Sequence, residues 1–329
     1  EGKTNIIEAL MYLALLSSHR ISSDQPLIKL DSERAYIRAK IESDERTTLV
    51  ELEINNGKAN RAKVNQNPVR SQKELLGLVK SVCFSPEDLD LVRGDPSERR
   101  SFLDQLLIQQ SPRLAGVISD YERALKQRNS LLKSRAPESS LRSWSEHLAT
   151  FGGELIAGRI KLINEIEPLF QIAYKNLSAK KLAKLGYKSS IPAPSSEKEV
   201  NKEVMLKVIE EVKSQEIERG ISLVGPHRDD LILNLGDHPV KGYASHGESW
   251  SIALALRLAS YQLFINEGAK PILILDDVFS ELDEGRREKL LEIADSAEQT
   301  FITVAVENDL PKAIQGARFK VELGKVVTL

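Results

Sequence analysis

Apolar and polar positions along the chain change period several times, and each change marks an element. Ile6, Ile7, Leu10, Leu13 and Ala14 recur at helical spacing directly after Gly2-Lys3-Thr4, so a helix is predicted at the start. From Leu27 to Asn67 the period shortens to two. Ala35–Ile41 and Thr48–Ile54 alternate apolar and polar residues, and Asn55-Asn56-Gly57 marks a hairpin turn. Val79–Leu91 reads as a strand that breaks at Pro86 into an acidic turn. Leu114, Val117, Tyr121, Leu125, Arg128 and Leu132 then step by three or four residues. After a break at Ala136-Pro137, Leu141, Trp144, Leu148, Phe151 and Leu155 do the same. Two such helices joined by a short turn predict an antiparallel hairpin that projects or lies as a lid.

The second half repeats these signals. Lys175–Ser196 carries Lys180, Lys181, Lys184 and Lys188 and then turns rich in Pro and Ser, which reads as a flexible connection. Val200–Arg219 is a charged amphipathic helix. Strands are predicted at Ile221–Val224 and Leu231–Leu235, flanking Gly225-Pro226-His227-Arg228-Asp229-Asp230. Gly242–Phe264 runs from a small-residue loop into an Ala- and Leu-rich helix that reads as buried. Finally Ile272–Leu275, four apolar residues between Pro271 and Asp276-Asp277, suits a parallel strand buried on both faces.

That strand is where chemistry is expected, because it delivers its two acids to the carboxyl edge of a sheet. Adjacent carboxylates with no basic neighbour are costly to bury unless a cation or a reacting group uses them. Mg²⁺ held together with nucleotide phosphates fits that requirement. Gly2-Lys3-Thr4 at a helix start is either the back half of a phosphate-binding loop or an ordinary helix start with a lysine. In the first reading Gly2 admits backbone amides to the phosphates, Lys3 reaches the β- and γ-phosphates, and the Thr4 hydroxyl ligates Mg²⁺. Ala244-Ser245-His246-Gly247-Glu248 is a second phosphate-type arrangement or a simple N-cap. Its place some twenty-five residues before the acidic strand favours the phosphate reading.

The 329 residues suffice for two domains or one large one, and 46 basic against 48 acidic side chains leave a net charge of −2. General attraction to nucleic acid is therefore excluded, and DNA contact would need a local patch. Candidates are Arg99, Arg100, Arg123, Lys126 and Arg128. A solvated face explains the charges of the first hairpin helix more readily than phosphate contact does, as it does Arg61, Lys63 and Arg70 on the strands. His227 has no ligand partners at metal spacing. The single Cys83 is consistent with a reducing cytoplasm, and neither a membrane span nor a signal peptide is evident. The first residue is Glu1 rather than Met, so the chain reads as a fragment lacking the front of the phosphate loop.

Taken in order, Gly2-Lys3-Thr4-Asn5, the Ser-x-Gly-Glu loop and I-L-I-L-D-D-V-F-S-E-L-D resemble the phosphate loop, signature loop, Mg²⁺-binding strand and D-loop of ABC-type ATPase heads. Phe84–Leu89, Arg99–Asp104, Gln127–Leu132 and Gly225–Asp230 make the whole similar to the RecF family of bacterial DNA replication and repair proteins. The resemblance implies an α/β fold, an ABC-type P-loop ATPase head with an inserted helical lid or hairpin subdomain. Residues 1–85 would form the N-terminal part of the head, 86–219 the helical arm, and 220–329 the C-terminal part of the head.

It also implies a mechanism. Two copies would close on ATP, each nucleotide lying between Lys3 and Thr4 of one and Ser245, Gly247 and Glu248 of the other. Asp276 would hold Mg²⁺, Asp277 would orient the attacking water, and Asp283 would border the dimer interface. A weak, DNA-stimulated ATPase that opens the dimer is implied, as is binding to junctions of single- and double-stranded DNA with RecO- and RecR-like partners in the cytoplasm. Three departures stand out. Ser85 lies roughly where such heads often carry Gln, Glu248 where Gln is common, and Phe301–Val306 supplies no switch imidazole. The alternatives are another P-loop class, such as a small-molecule kinase or transporter ATPase, and a non-catalytic DNA-binding module.

Overall fold

The computed structural model describes residues 2–18, 23–43, 46–178, 181–306, 309–310, 314–322 and 324–328, so Lys180 lies outside the described residues. Helix α1 (Lys3–Leu15) has two apolar faces. Ile7, Met11, Ala14 and Leu15 pack with Val79, Cys83 and Ile274, while Tyr12 and Leu13 pack with Val50, Leu52, Ile54 and Ala62. One helix thereby serves two sheets. Ile6, expected on the buried stripe, is instead 38% exposed, because the two packing faces lie to either side of it.

The first of those sheets is antiparallel, in the order β1 (Arg34–Ser43), β2 (Arg46–Asn55), β3 (Arg61–Val64) and β4 (Asn67–Pro68). Its β1–β2 register pairs Ile37 with Leu52, and the Asn55–Gly57 turn leads from β2 into β3. Strand β5 (Ser81–Phe84) is wholly buried and ends in a 3-10 turn at Pro86–Asp88, where the Ser85 N–H donates to Asp88 Oδ2 at 3.1 Å.

Helices then follow: α2 (Leu89–Arg93), α3 (Pro96–Gln110), α4 (Leu114–Lys133) and the forty-residue α5 (Glu138–Leu177). The hairpin of α4 and α5 is present as expected, with Leu132, Leu148 and Leu155 in its core. The expected flexible connection is a correction. Residues 183–188 form β6 (Ala183–Lys188), paired antiparallel with β7 (Asp230–Leu235), which in turn pairs with the short β8 (His238–Pro239). Strand β6 is hidden in the sequence because Lys184 and Lys188 surround Leu185, one of its buried apolar residues. The expected helix over 200–219 splits at Val212 into α6 (Lys198–Glu211) and α7 (Lys213–Arg219). Residues 221–224 are not a strand; Ser222 and Leu223 are held by side chains of α4 and α7 instead.

Helix α8 (His246–Asn266) is followed by β9 (Ile272–Asp276), α9 (Glu284–Ser296), β10 (Thr300–Thr303) and the hairpin β11 (Phe319–Glu322) and β12 (Lys325–Thr328). A parallel sheet in the order β10-β9-β5 puts β9 in the middle, as its unbroken apolar run predicts. The chain divides into two compact units, residues 1–88 with 260–329, and residues 89–259. By this division residues 220–259, with the Ser245 loop, belong to the helical unit.

Candidate nucleotide site

Leu273, Ile274 and Leu275 on β9 have no exposed surface, so the strand is anchored and its carboxyl end is placed accurately. There Asp276, 7% exposed, accepts the Thr303 hydroxyl at 2.5 Å. Asp277 turns the chain in a left-handed conformation (φ 56°), which is uncommon for a residue with a side chain though Asp tolerates it better than most. The turn is held from β10: the Asp277 N–H donates to the Thr303 carbonyl at 3.1 Å, and the Ala305 N–H donates to Asp277 Oδ1 at 2.9 Å. Both acids are thus oriented by neutral donors rather than by cations. Beyond them Val278, Phe279 and Leu282 are buried and pin the following turn. Asp283 caps α9, accepting from the Arg286 N–H at 3.0 Å and from its guanidinium at 2.8 Å, with its side chain 62% exposed.

Within the same unit α1 packs on this sheet through Ile7 and Met11, against Val79, Cys83 and Ile274. Gly2 has φ 106°, a backbone conformation that favours glycine, and a Cβ there would lie a tight 3.3 Å from the Val321 side chain. Lys3 and Thr4 are half-buried and Asn5 is exposed. No side chain caps the helix and no acid lies in its first turn. The first N–H groups are therefore available to an anion. Thr4 and Asp276 are hard oxygen donors of the number that Mg²⁺ takes from protein when phosphates and water complete its shell. No group of three or more His, Cys, Asp or Glu is arranged for a metal among the described residues.

In the helical unit, Ser245 and His246 are exposed at the start of α8. Ser245 and Glu248 bond reciprocally, N–H to carboxylate at 2.9 Å and N–H to hydroxyl at 3.2 Å. The His246 ring accepts from Trp250 Nε1 at 3.2 Å. The Glu248 carboxyl is lowered to about 2, first by its bond from Lys181 and then by those from Ser245.

Of the five candidate DNA contacts, two are corrected. Arg99 is buried in a two-pronged pair with Asp230 at 2.7 and 2.9 Å. Arg128, 2% exposed, bonds Glu216, Ser145 and Ser222 at 2.5, 2.9 and 2.8 Å. Guanidiniums enclosed by their own acids have no face left for phosphate. Arg100 is partly buried and donates to the Asp229 carbonyl, while Arg123, paired with Asp120, and Lys126 are exposed.

Sequence reasoning missed the centre that absorbs the buried arginines. Asp229, wholly buried, accepts from Tyr187 at 2.6 Å and from the Ser190 N–H at 2.7 Å. Arg159 bridges Asp104 and the Pro226 carbonyl. Gly225 (φ 131°) has no room for a Cβ, which would lie 2.4 Å from the Tyr121 hydroxyl. The His227 ring lies between that hydroxyl, 2.6 Å from Nδ1, and the Ser222 carbonyl, 3.2 Å from Nε2. A carbonyl requires a donor, so Nε2 carries the proton and Nδ1 accepts from Tyr121. Burial foremost, with three nearby arginines, lowers His227 to about 4. The available signal was the pairing of Gly225–Asp230 with an Arg-rich helix, read instead as a turn.

Among the described residues no helix is long and apolar enough to cross a membrane. The RecF/RecN/SMC N terminal domain family matches residues 1–322. The DNA replication and repair protein RecF of Streptomyces avermitilis is 51% identical over 338 residues, covering 99% of this chain and 90% of its own. Its namesake in Kineococcus radiotolerans is 48% identical over 341 residues, covering 96% and 87%. A solved structure of the recombination mediator protein RecF-ATPrS in RecFOR pathway matches with a TM-score of 0.92 at 29% identity, covering 100% of this chain and 89% of that one. The Smc head domain of Pyrococcus furiosus, bound to the C-terminal domain of ScpA, matches with a TM-score of 0.52 at 15% identity, covering 100% and 87%, a likeness of fold alone. A buried parallel strand ending in paired acids fits these matches, which together make the chain a member of the RecF family of DNA replication and repair proteins, built on an ABC-type ATPase head.

Proposed function

We propose that this chain is an ATP-gated DNA-binding protein, two copies of which close on nucleotide. The observation that carries the reading is the exit of β9, where Asp276 and Asp277 are aimed by Thr303 and Ala305 without any basic partner among the described residues, beside a helix whose N-terminus is uncapped. Lys3 and the first amides of α1 bind the β- and γ-phosphates. Thr4 and Asp276 hold Mg²⁺, which when bound neutralises charge on the transferred phosphoryl group. Asp277, fixed by the Ala305 amide, orients the attacking water. Its short side chain and the lack of a switch imidazole in Phe301–Val306 suit slow hydrolysis that opens the pair of copies. Ser245 and Gly247 of the second copy complete the phosphate shell, and Asp283 borders the interface.

The relative described above belongs to the RecFOR pathway. By extension, the closed state binds DNA at junctions of single and double strands and works with RecO- and RecR-like proteins. Arg123 and Lys126, exposed on α4, are the surviving phosphate contacts, with Arg100 a partial one. Sedimentation of the full-length protein with and without ATP tests the reading. Wild type is expected to form dimers only with ATP, and Ser245→Arg to abolish them. Dimers that survive that substitution would refute the sandwich.

A further inference from the structure

The loop before α8 carries an ion pair that the reading above leaves unused. Glu248 stands three residues after Ser245. Its Oε2 accepts from the Ser245 N–H, and the Ser245 hydroxyl accepts from the Glu248 N–H, so the two residues close a capping box. The other oxygen of that carboxylate, Oε1, accepts from Lys181 Nζ at 2.8 Å. Lys181 lies outside the loop, two residues before β6, and β6 is fixed in register from Ala183 opposite Leu235 to Lys188 opposite Asp230. The lysine is therefore referenced to a sheet, and the loop is referenced to the lysine.

With side chains 53% and 25% exposed, the pair contributes little to folding. Its location explains it better. A triphosphate arriving at Ser245 carries several negative charges, and a lone carboxylate bonded to that serine would repel it. With Lys181 in place the two side-chain charges cancel. Losing the lysine also leaves the carboxylate held by the Ser245 N–H alone, with its other oxygen free to turn.

We propose that Lys181 is a positioning residue for nucleotide recognition between two copies: through Glu248 it fixes Ser245 and cancels the carboxylate charge that the triphosphate of the other copy would meet. The inference rests on the sandwich reading. Lys181 would touch neither nucleotide nor metal.

The test is sedimentation of the full-length protein with a non-hydrolysable ATP analogue, alongside binding of a fluorescent ATP analogue to dilute monomer and thermal unfolding. Lys181→Glu is expected to weaken nucleotide-dependent dimerisation by about tenfold or more, an effect that shrinks as salt is raised. Monomer nucleotide affinity and unfolding temperature stay as in wild type. Lys181→Arg retains dimerisation near the wild-type level, because the guanidinium keeps both the charge and a donor for the Glu248 carboxylate. In a Glu248→Gln background, Lys181→Met has no effect. Wild type that stays monomeric with nucleotide would overturn the sandwich reading and this assignment with it. Wild type that dimerises while Lys181→Glu dimerises equally well would overturn the assignment alone.

Discussion

The exit of β9 and the Gly225–Asp230 centre both concentrate carboxylates, and they treat them in opposite ways. In the helical unit Asp104 faces Arg159, Asp230 faces Arg99 and Glu216 faces Arg128, each pair desolvated and cross-bonded to hydroxyls or carbonyls. At β9 the acids meet, among the described residues, a threonine hydroxyl and a backbone amide, and one of them sits in a left-handed turn. Charge cancelled inside the chain does architectural work, since breaking such a pair leaves a buried ion unsatisfied. Carboxylates aimed by neutral donors keep their charge for a cation or a water. The contrast separates scaffold from chemistry more sharply than the acids themselves do, because both regions concentrate the same carboxylates.

The largest effect is expected where the scaffold is broken. Glu216→Ala leaves Arg128 buried beside serines and strips the Leu223 N–H of its acceptor, at a cost of about 3–5 kcal/mol in denaturant unfolding. Replacing Arg128 and Glu216 together by apolar residues of similar volume should recover much of that loss. If Glu216→Ala proves nearly neutral, the region is not a scaffold in the sense argued. Next comes pH. His227 is lowered from 6.5 to about 4, so below 6.5 the unfolded chain takes up a proton that the folded chain refuses. Stability is full above pH 6.5 and falls toward pH 4, by about 3 kcal/mol in total. His227→Gln should flatten that slope in thermal unfolding measured across the range.

At the chemical end, Asp277→Asn keeps an acceptor for the Ala305 N–H and tolerates the left-handed turn. It is expected to lower ATP hydrolysis by about 10²-fold while shifting unfolding by less than about 0.5 kcal/mol. Equal losses of activity and stability would mean that Asp277 belongs with the scaffold. The smallest effect is on DNA. Lys126→Ala and Arg123→Ala should each reduce the salt slope of binding by about one without altering unfolding, whereas changes at Arg128 should act on DNA only through folding.

The local signals carried further than the charged ones. The apolar run before Asp276-Asp277 predicted a buried parallel strand, and β9 lies between two parallel neighbours. The helix after Gly2, the β1–β2 alternation and the α4–α5 hairpin were legible for the same reason: periodicity is a property of neighbouring residues. The order of motifs along the chain was also enough to indicate the family. What could not be read was which charges face each other. Arg123 and Arg128 sit five residues apart on α4 and look alike in sequence, yet one is exposed and the other is sealed against Glu216, 88 residues away. Strand β6 was hidden in the same way, since its apolar residues are few and its pairing partner, β7, begins more than forty residues later. Ion pairing and strand pairing at long range depend on desolvation and on approach in space, which only the folded arrangement decides; the sequence by itself determined the family and most of the locally periodic elements, because periodicity and motif order are properties of neighbouring residues.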